Sequence, residues 1–135
     1  MIRSSSFSHY TLEQAVNDAA RRLVAANVDQ DTAAGVVLAI VEALGNVARH
    51  ATKPTDPLRF DLRLDIDDDT ILIEVVDYGP GFDLRPTMMP DPLAESGRGI
   101  PLMRRFCDSV EYRRGGQRNR LIMRKRYQPA IRAAS

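Results

Sequence analysis

Residues 36–48 read VVLAIVEALGNVA, a run that leaves the chain few choices of fold. A helix that is apolar on nearly every side belongs in the middle of a core. Yet Glu42 and Asn46 interrupt this one four residues apart, and Arg49 and His50 follow at the next turn. At helical spacing these four side chains share one stripe. Gly35 and Ala39 continue it toward the N-terminus with almost no side chain. The stripe either faces solvent or forms a ligand-facing wall inside the protein. A carboxylate beside so much apolar surface is costly to bury without a partner or a use, and that weighs toward the wall.

The rest of the composition narrows the setting. A chain of 135 residues suggests a single domain with one sizeable core. A net charge of +1 supplies no overall attraction for nucleic acid or membrane. The single cysteine, Cys107, excludes an internal disulfide, and two histidines offer no zinc cluster. Cys107 sits among apolar residues of a predicted helix, where a plain buried thiol is expected. We find no apolar run both long and unbroken enough to span a bilayer. The start MIRSSSFSHY has no hydrophobic signal region, so a reducing cytoplasm is the expected compartment.

Residues 2–8 alternate weakly and suit a short edge strand. Thr11 and Gln14 fit a capping box for a first amphipathic helix, with Leu12, Ala15, Val16, Ala19, Leu23 and Val24 on its apolar stripe. Asn27 and Asp29 to Asp31 supply a turn and an N-cap for the central helix, which is expected to reach about Ala51 before two prolines end it. Leu58 to Ile66 alternate in-and-out, Asp67 to Asp69 turn, and Thr70 to Val76 return as a more apolar strand.

Asp77-Tyr78-Gly79-Pro80-Gly81-Phe82 follows directly. An acid at the end of an inner strand can present its carboxylate at the sheet edge, and glycines admit close approach of backbone to a ligand. Taken alone, the same residues are a tight turn. Residues 83–96 hold three prolines and no periodicity, the character of a lid or binding loop. Gly97-Arg98-Gly99 then opens a helix over Ile100 to Cys107, with Pro101 in its first turn. Free N–H groups, the positive dipole end and the Arg98 cation make a phosphate site there. Ser109 to Arg113 and Arg120 to Tyr127 form a last hairpin around Arg114 to Gln117. This basic third reads as a solvated face, with docking to an acidic protein as a second use; no RNA-binding signature interleaves it.

Four features occur in order: ExxxN on a helix, DxGxGF after a strand, a long loop, and GxG at a helix start. In this arrangement the sequence resembles the GHKL (Bergerat-fold) ATPases, and within them the anti-sigma-factor serine/threonine kinases of the RsbW and SpoIIAB type. The N-box runs from Glu42 to Ala51, the G1 box from Asp77 to Phe82 and the G2 box from Ser96 to Met103; the likeness extends from Leu12 to Arg126.

The resemblance implies an α+β two-layer sandwich. Its sheet is mixed but mostly antiparallel, of about five strands, with three helices on one face and a mobile ATP lid near 83–98. It implies ATP and Mg2+ as cofactors. Asn46 would ligate the metal, and Asp77 would accept the adenine amino group. Gly79 and Gly81 would shape the adenine and ribose edge. Gly97, Arg98, Gly99 and Ile100 would line the phosphates, with Arg49 as a further phosphate contact. Glu42 would be the general base for a hydroxyl or a water.

The implied partners are a STAS-domain anti-anti-sigma protein as phosphorylation substrate and a sigma factor. Homodimers are common in the family, and direct nucleic-acid or membrane binding is not expected. A non-enzymatic reading keeps the same pocket as an ATP-dependent protein-binding switch. Gly45 departs from the family, which usually has a polar or small residue there, and Pro101 replaces a residue that is often aromatic or hydrophobic.

Overall fold

Thr11 starts the first helix as its side chain requires. In the computed structural model, which describes residues 3–8, 11–49, 60–78, 99–115 and 118–129 (backbone alone for 3–8, Gly99 and Ile100), helix α1 spans Leu12–Ala25. The Thr11 hydroxyl accepts the Gln14 N–H at 3.1 Å, and the Gln14 side chain accepts the Thr11 N–H at 3.2 Å. Two end-group donors are thereby satisfied reciprocally. Ala15, Ala19 and Leu23 are buried.

The helix ends on Asn27, the one described non-glycine residue at positive φ (61°). That turn lets Val28 N–H reach the Leu23 carbonyl at 3.1 Å and Asn27 N–H reach Val24 at 3.0 Å. These are the two bonds of a Schellman stop, and both Leu23 and Val28 enter the core.

Helix α2, Gln30–Arg49, begins at once. The Asp29 carboxylate caps it by accepting the Thr32 N–H at 3.0 Å. By length and hydropathy α2 is a candidate membrane span, contrary to the expectation from the sequence. The described fold instead uses it as the core helix: Val36, Ala39, Ile40, Ala43, Leu44 and Val47 are all buried. Helices α1 and α3 (Gly99–Phe106) pack against it.

Five strands form one sheet: β1 (Arg3–Ser8), β2 (Phe60–Ile66), β3 (Thr70–Asp77), β4 (Ser109–Gly115) and β5 (Arg118–Arg126), in the order β1-β2-β3-β5-β4. The count agrees with the expectation. Every described pairing is antiparallel, so the parallel pairing that a mixed sheet allows is absent among the described strands. Connectivity accounts for two of the four pairings: few residues separate β2 from β3 and β4 from β5, which can then only pair antiparallel.

Phe60, Leu62, Leu64 and Ile66 of β2, Ile71, Ile73 and Val75 of β3, and Leu121 and Met123 of β5 make the inner face, under the three helices. The outer face alternates with it and mixes charged residues with Leu72, Val76 and Ile122. There Arg120 meets Glu74 at 2.9 Å. On the hairpin Arg113 meets Glu111 at 2.8 Å and Lys125 lies 3.7 Å from Asp108. These part-exposed pairs add little stability, but they account for much of the basic third as a solvated face. Tyr127 closes the edge: its hydroxyl donates to the Asp67 carbonyl and its N–H to that of Asp69 at 2.9 Å, pinning the end of β5 on the β2–β3 turn.

Candidate functional site

Among the described residues the buried polar side chains are Asn46, Asp77 and Asn119, at 1%, 8% and 5% exposure. Everything else so deeply placed is apolar or glycine, so these three need an account.

Asp77 is the last residue of β3. The two-residue period of the strand puts it on the face of Ile71, Ile73 and Val75, toward the helices. Directly opposite in register stands Asn119 of β5, whose Nδ2 donates to Asp77 Oδ1 at 3.0 Å. The bond fixes the carboxylate rotamer at the point where the strand stops. Sequence reasoning missed Asn119. Its signal was parity: it shares the inward side with Leu121 and Met123. Tyr78 follows Asp77, is exposed, and donates its hydroxyl to Asp61 at 2.9 Å.

The second cluster lies on α2. Asn46 faces the buried side of the helix, and its Oδ1 accepts a hydrogen bond from the Arg49 guanidinium. Arginine can only donate, so this contact identifies the oxygen end of the amide. The other end, Nδ2, is buried with no hydrogen-bond partner among the described residues. Glu42 stands one turn earlier, half-buried, with no hydrogen-bond or ion-pair partner among the described residues. Arg49 itself is exposed and passes over Gly45, where a Cβ would lie 3.4 Å from Nη1.

The upper part of the predicted stripe has another use. A Cβ on Gly35 would stand 2.8 Å from Phe106 Cδ1 of α3. Gly35 is thus a packing glycine that lets α3 close on α2, and not part of a ligand-facing wall. Of the other predicted site residues, Gly99 and Ile100 open α3. Gly79, Gly81, Gly97, Arg98, His50 and the expected lid over 83–98 lie outside the described residues.

The chemistry of this donor set is selective. No group of three or more His, Cys, Asp or Glu side chains able to hold a metal is present among the described residues. A divalent ion here would take one amide oxygen from Asn46 and the rest from a ligand and water. That fits Mg2+, a hard ion that keeps waters and is commonly held through substrate phosphates. The fit is supported by an amide oxygen that already accepts from a cation.

The sequence matches the histidine kinase-like ATPase domain family over residues 8–125. No curated protein matches it. The fold is similar to that of the nucleotide-free catalytic domain of histidine kinase ThkA: TM-score 0.51, 12% identity, 94% of this chain and 97% of that one covered. It is also similar to the Acinetobacter baumannii histidine kinase AdeS, with TM-score 0.53, 12% identity, and 94% and 68% coverage. At such identity the likeness is one of fold: the two-layer α+β architecture of the GHKL ATPases. The family match, which spans Glu42, Asn46, Asp77 and the start of α3, carries the assignment: this chain belongs to the histidine kinase-like ATPase domain family.

Proposed function

We propose that the chain binds ATP with Mg2+ and transfers the terminal phosphoryl group to a serine or threonine hydroxyl of a STAS-domain protein. We propose further that it sequesters a sigma factor in the cytoplasm, so that nucleotide state decides which partner it holds. The observation that carries the reading is the pair on α2: a half-buried acid with no partner among the described residues, one turn from a buried amide that presents its oxygen to a cation.

Phosphoryl transfer asks for charge neutralisation and an in-line nucleophile, with little covalent help from the protein. Magnesium, when bound, neutralises the phosphates. Asn46 Oδ1 would hold it, and Glu42 would accept the proton of the attacking hydroxyl. Asp77, steadied by Asn119, would accept a hydrogen bond from the adenine amino group. Gly99 and Ile100, at the N-terminus of α3, would offer backbone N–H groups to phosphate oxygens. The serine/threonine specificity and the sigma-factor partner rest on the resemblance of the N-box, Glu42 to Ala51, to the anti-sigma kinases.

Incubation with terminally labelled ATP and candidate STAS-domain proteins is the direct test. The expected result is a labelled serine or threonine, lost in Glu42→Gln. Capture of the same partners in ATP but not ADP, with no label transferred, would replace the kinase by an ATP-dependent binding switch. Label retained on histidine would move the chain to histidine kinase chemistry.

A further inference from the structure

The oxygen that suits a magnesium ion on α2 already holds a positive charge. Arg49 folds back along the helix and donates to Asn46 Oδ1. It runs beside residue 45, a glycine. The missing Cβ would stand 3.4 Å from Nη1 and 3.8 Å from Nη2, so the guanidinium lies along bare backbone. Asn46 is 1% exposed, and its Nδ2 has no partner among the described residues. The amide is therefore held in its orientation from the Arg49 side. A metal ion on that oxygen would repel the guanidinium, so each disfavours the other there.

We infer that Arg49 is a built-in substitute for the metal. The inference rests on the nucleotide-site reading above and goes beyond it. The guanidinium is planar and carries five donors, so one edge can stay on Asn46 Oδ1 while another meets a phosphate oxygen. In that pose it bridges amide and phosphate as a divalent ion would. Nucleotide then binds without metal, and Mg2+ entering the complex displaces Arg49 from Asn46. The two cations compete; they do not cooperate. Gly45, the departure from the family noted above, leaves the space beside the guanidinium open.

The readout is the metal dependence of ATP affinity, measured by calorimetry in EDTA and in saturating Mg2+, and expressed as the ratio of the two dissociation constants. In wild type the ratio is small, because Arg49 already does part of the metal's work. Arg49→Gln raises it about tenfold, the low end for a charge-assisted hydrogen bond at a half-open site. Gly45→Val, which crowds the folded-back guanidinium but keeps the charge, moves the ratio the same way. A thermal melt confirms that each variant is folded.

A simple phosphate contact by Arg49 weakens both affinities equally and leaves the ratio unchanged. An unchanged or smaller ratio in Arg49→Gln therefore overturns the inference while the nucleotide site stands. Wild type that binds no ATP in either condition overturns the nucleotide reading itself, and the inference with it.

Discussion

Asn119 offers the sharpest test of the site, because the structure defines both its partner and its burial. Nδ2 donates to Asp77 Oδ1 at 3.0 Å, and the two residues are 5% and 8% exposed. Asn119→Ala removes that donor and leaves a buried carboxylate oxygen short of a hydrogen bond. Such a loss costs about 1–3 kcal/mol. Both side chains make further interactions, which keeps the value in the lower half, about 1–2 kcal/mol.

With a urea m-value of about 1.5 kcal/mol/M, the unfolding midpoint falls by about 1 M. The reversed pair, Asp77→Asn with Asn119→Asp, restores donor and acceptor in the same register and recovers most of that loss. The acceptor has then moved across the ladder, so preference for ATP over GTP does not return. Urea unfolding by circular dichroism and competitive binding of the two nucleotides measure the two effects. If Asn119→Ala lies within about 0.5 kcal/mol of wild type and keeps its base preference, Asn119 is not what positions Asp77.

Four further outcomes are expected. Glu42→Gln keeps ATP affinity within about twofold in calorimetry and lowers transfer of label by about 10² to 10⁴, the worth of a general base. Asn46→Ala eliminates magnesium-dependent ATP binding yet changes urea stability by less than about 1 kcal/mol, because deleting a buried N–H₂ that is unpaired among the described residues offsets the lost contact to Arg49. Gly35→Ala places its Cβ 2.8 Å from Phe106 Cδ1, and overpacking of about 1–3 kcal/mol outweighs the roughly 1 kcal/mol gain in helix propensity, so calorimetric melting shows a lower Tm.

The Cys107 thiol is pushed up to about 11 by burial first, with Asp108 adding to the rise and Lys125 opposing it. At pH 8 only about one thiol in a thousand is thiolate, so Ellman's reagent reacts slowly until the chain is unfolded. The raised value also gives stability that is full below about pH 9 and is lost as pH rises through about 11, which urea midpoints across that window check.

The helices and strands were readable because their signals are local. Thr11 and Gln14 fix a start within one turn, and Phe60 to Ile66 alternate without a break. Asp77 was readable for the same reason, as the acid that ends an apolar strand. Asn119 was not, since its meaning comes from a residue 42 positions away and appears only when β5 inserts between β3 and β4. Gly35 was misread on the same ground. Periodicity placed it correctly on the stripe of Asn46, but what a helix stripe meets is set by tertiary packing, and here it is Phe106. The bond from Arg49 to Asn46 has a local spacing of three, yet spacing does not tell a side chain aimed outward at a ligand from one folded back over a glycine.

The division of that stripe bears on how such a site is kept in order. Its N-terminal half, around Gly35, is occupied by α3, the helix whose first residue is Gly99. Its C-terminal half carries Glu42, Asn46 and Arg49. The proposed base, the proposed metal ligand and the helix proposed to meet the phosphates thus all refer to one twenty-residue rod. Because α2 is packed in the core along Val36, Ile40, Leu44 and Val47, it resists displacement at any of those points. Asp77 and Asn119 refer instead to the sheet below. The parts proposed to read the base and to handle the phosphates therefore sit on two different layers, packed together among the described residues through the apolar core. A core substitution that shifts α2 over β3, such as Ile73→Ala, should then disturb the relation between adenine affinity and metal dependence before it disturbs either cluster internally.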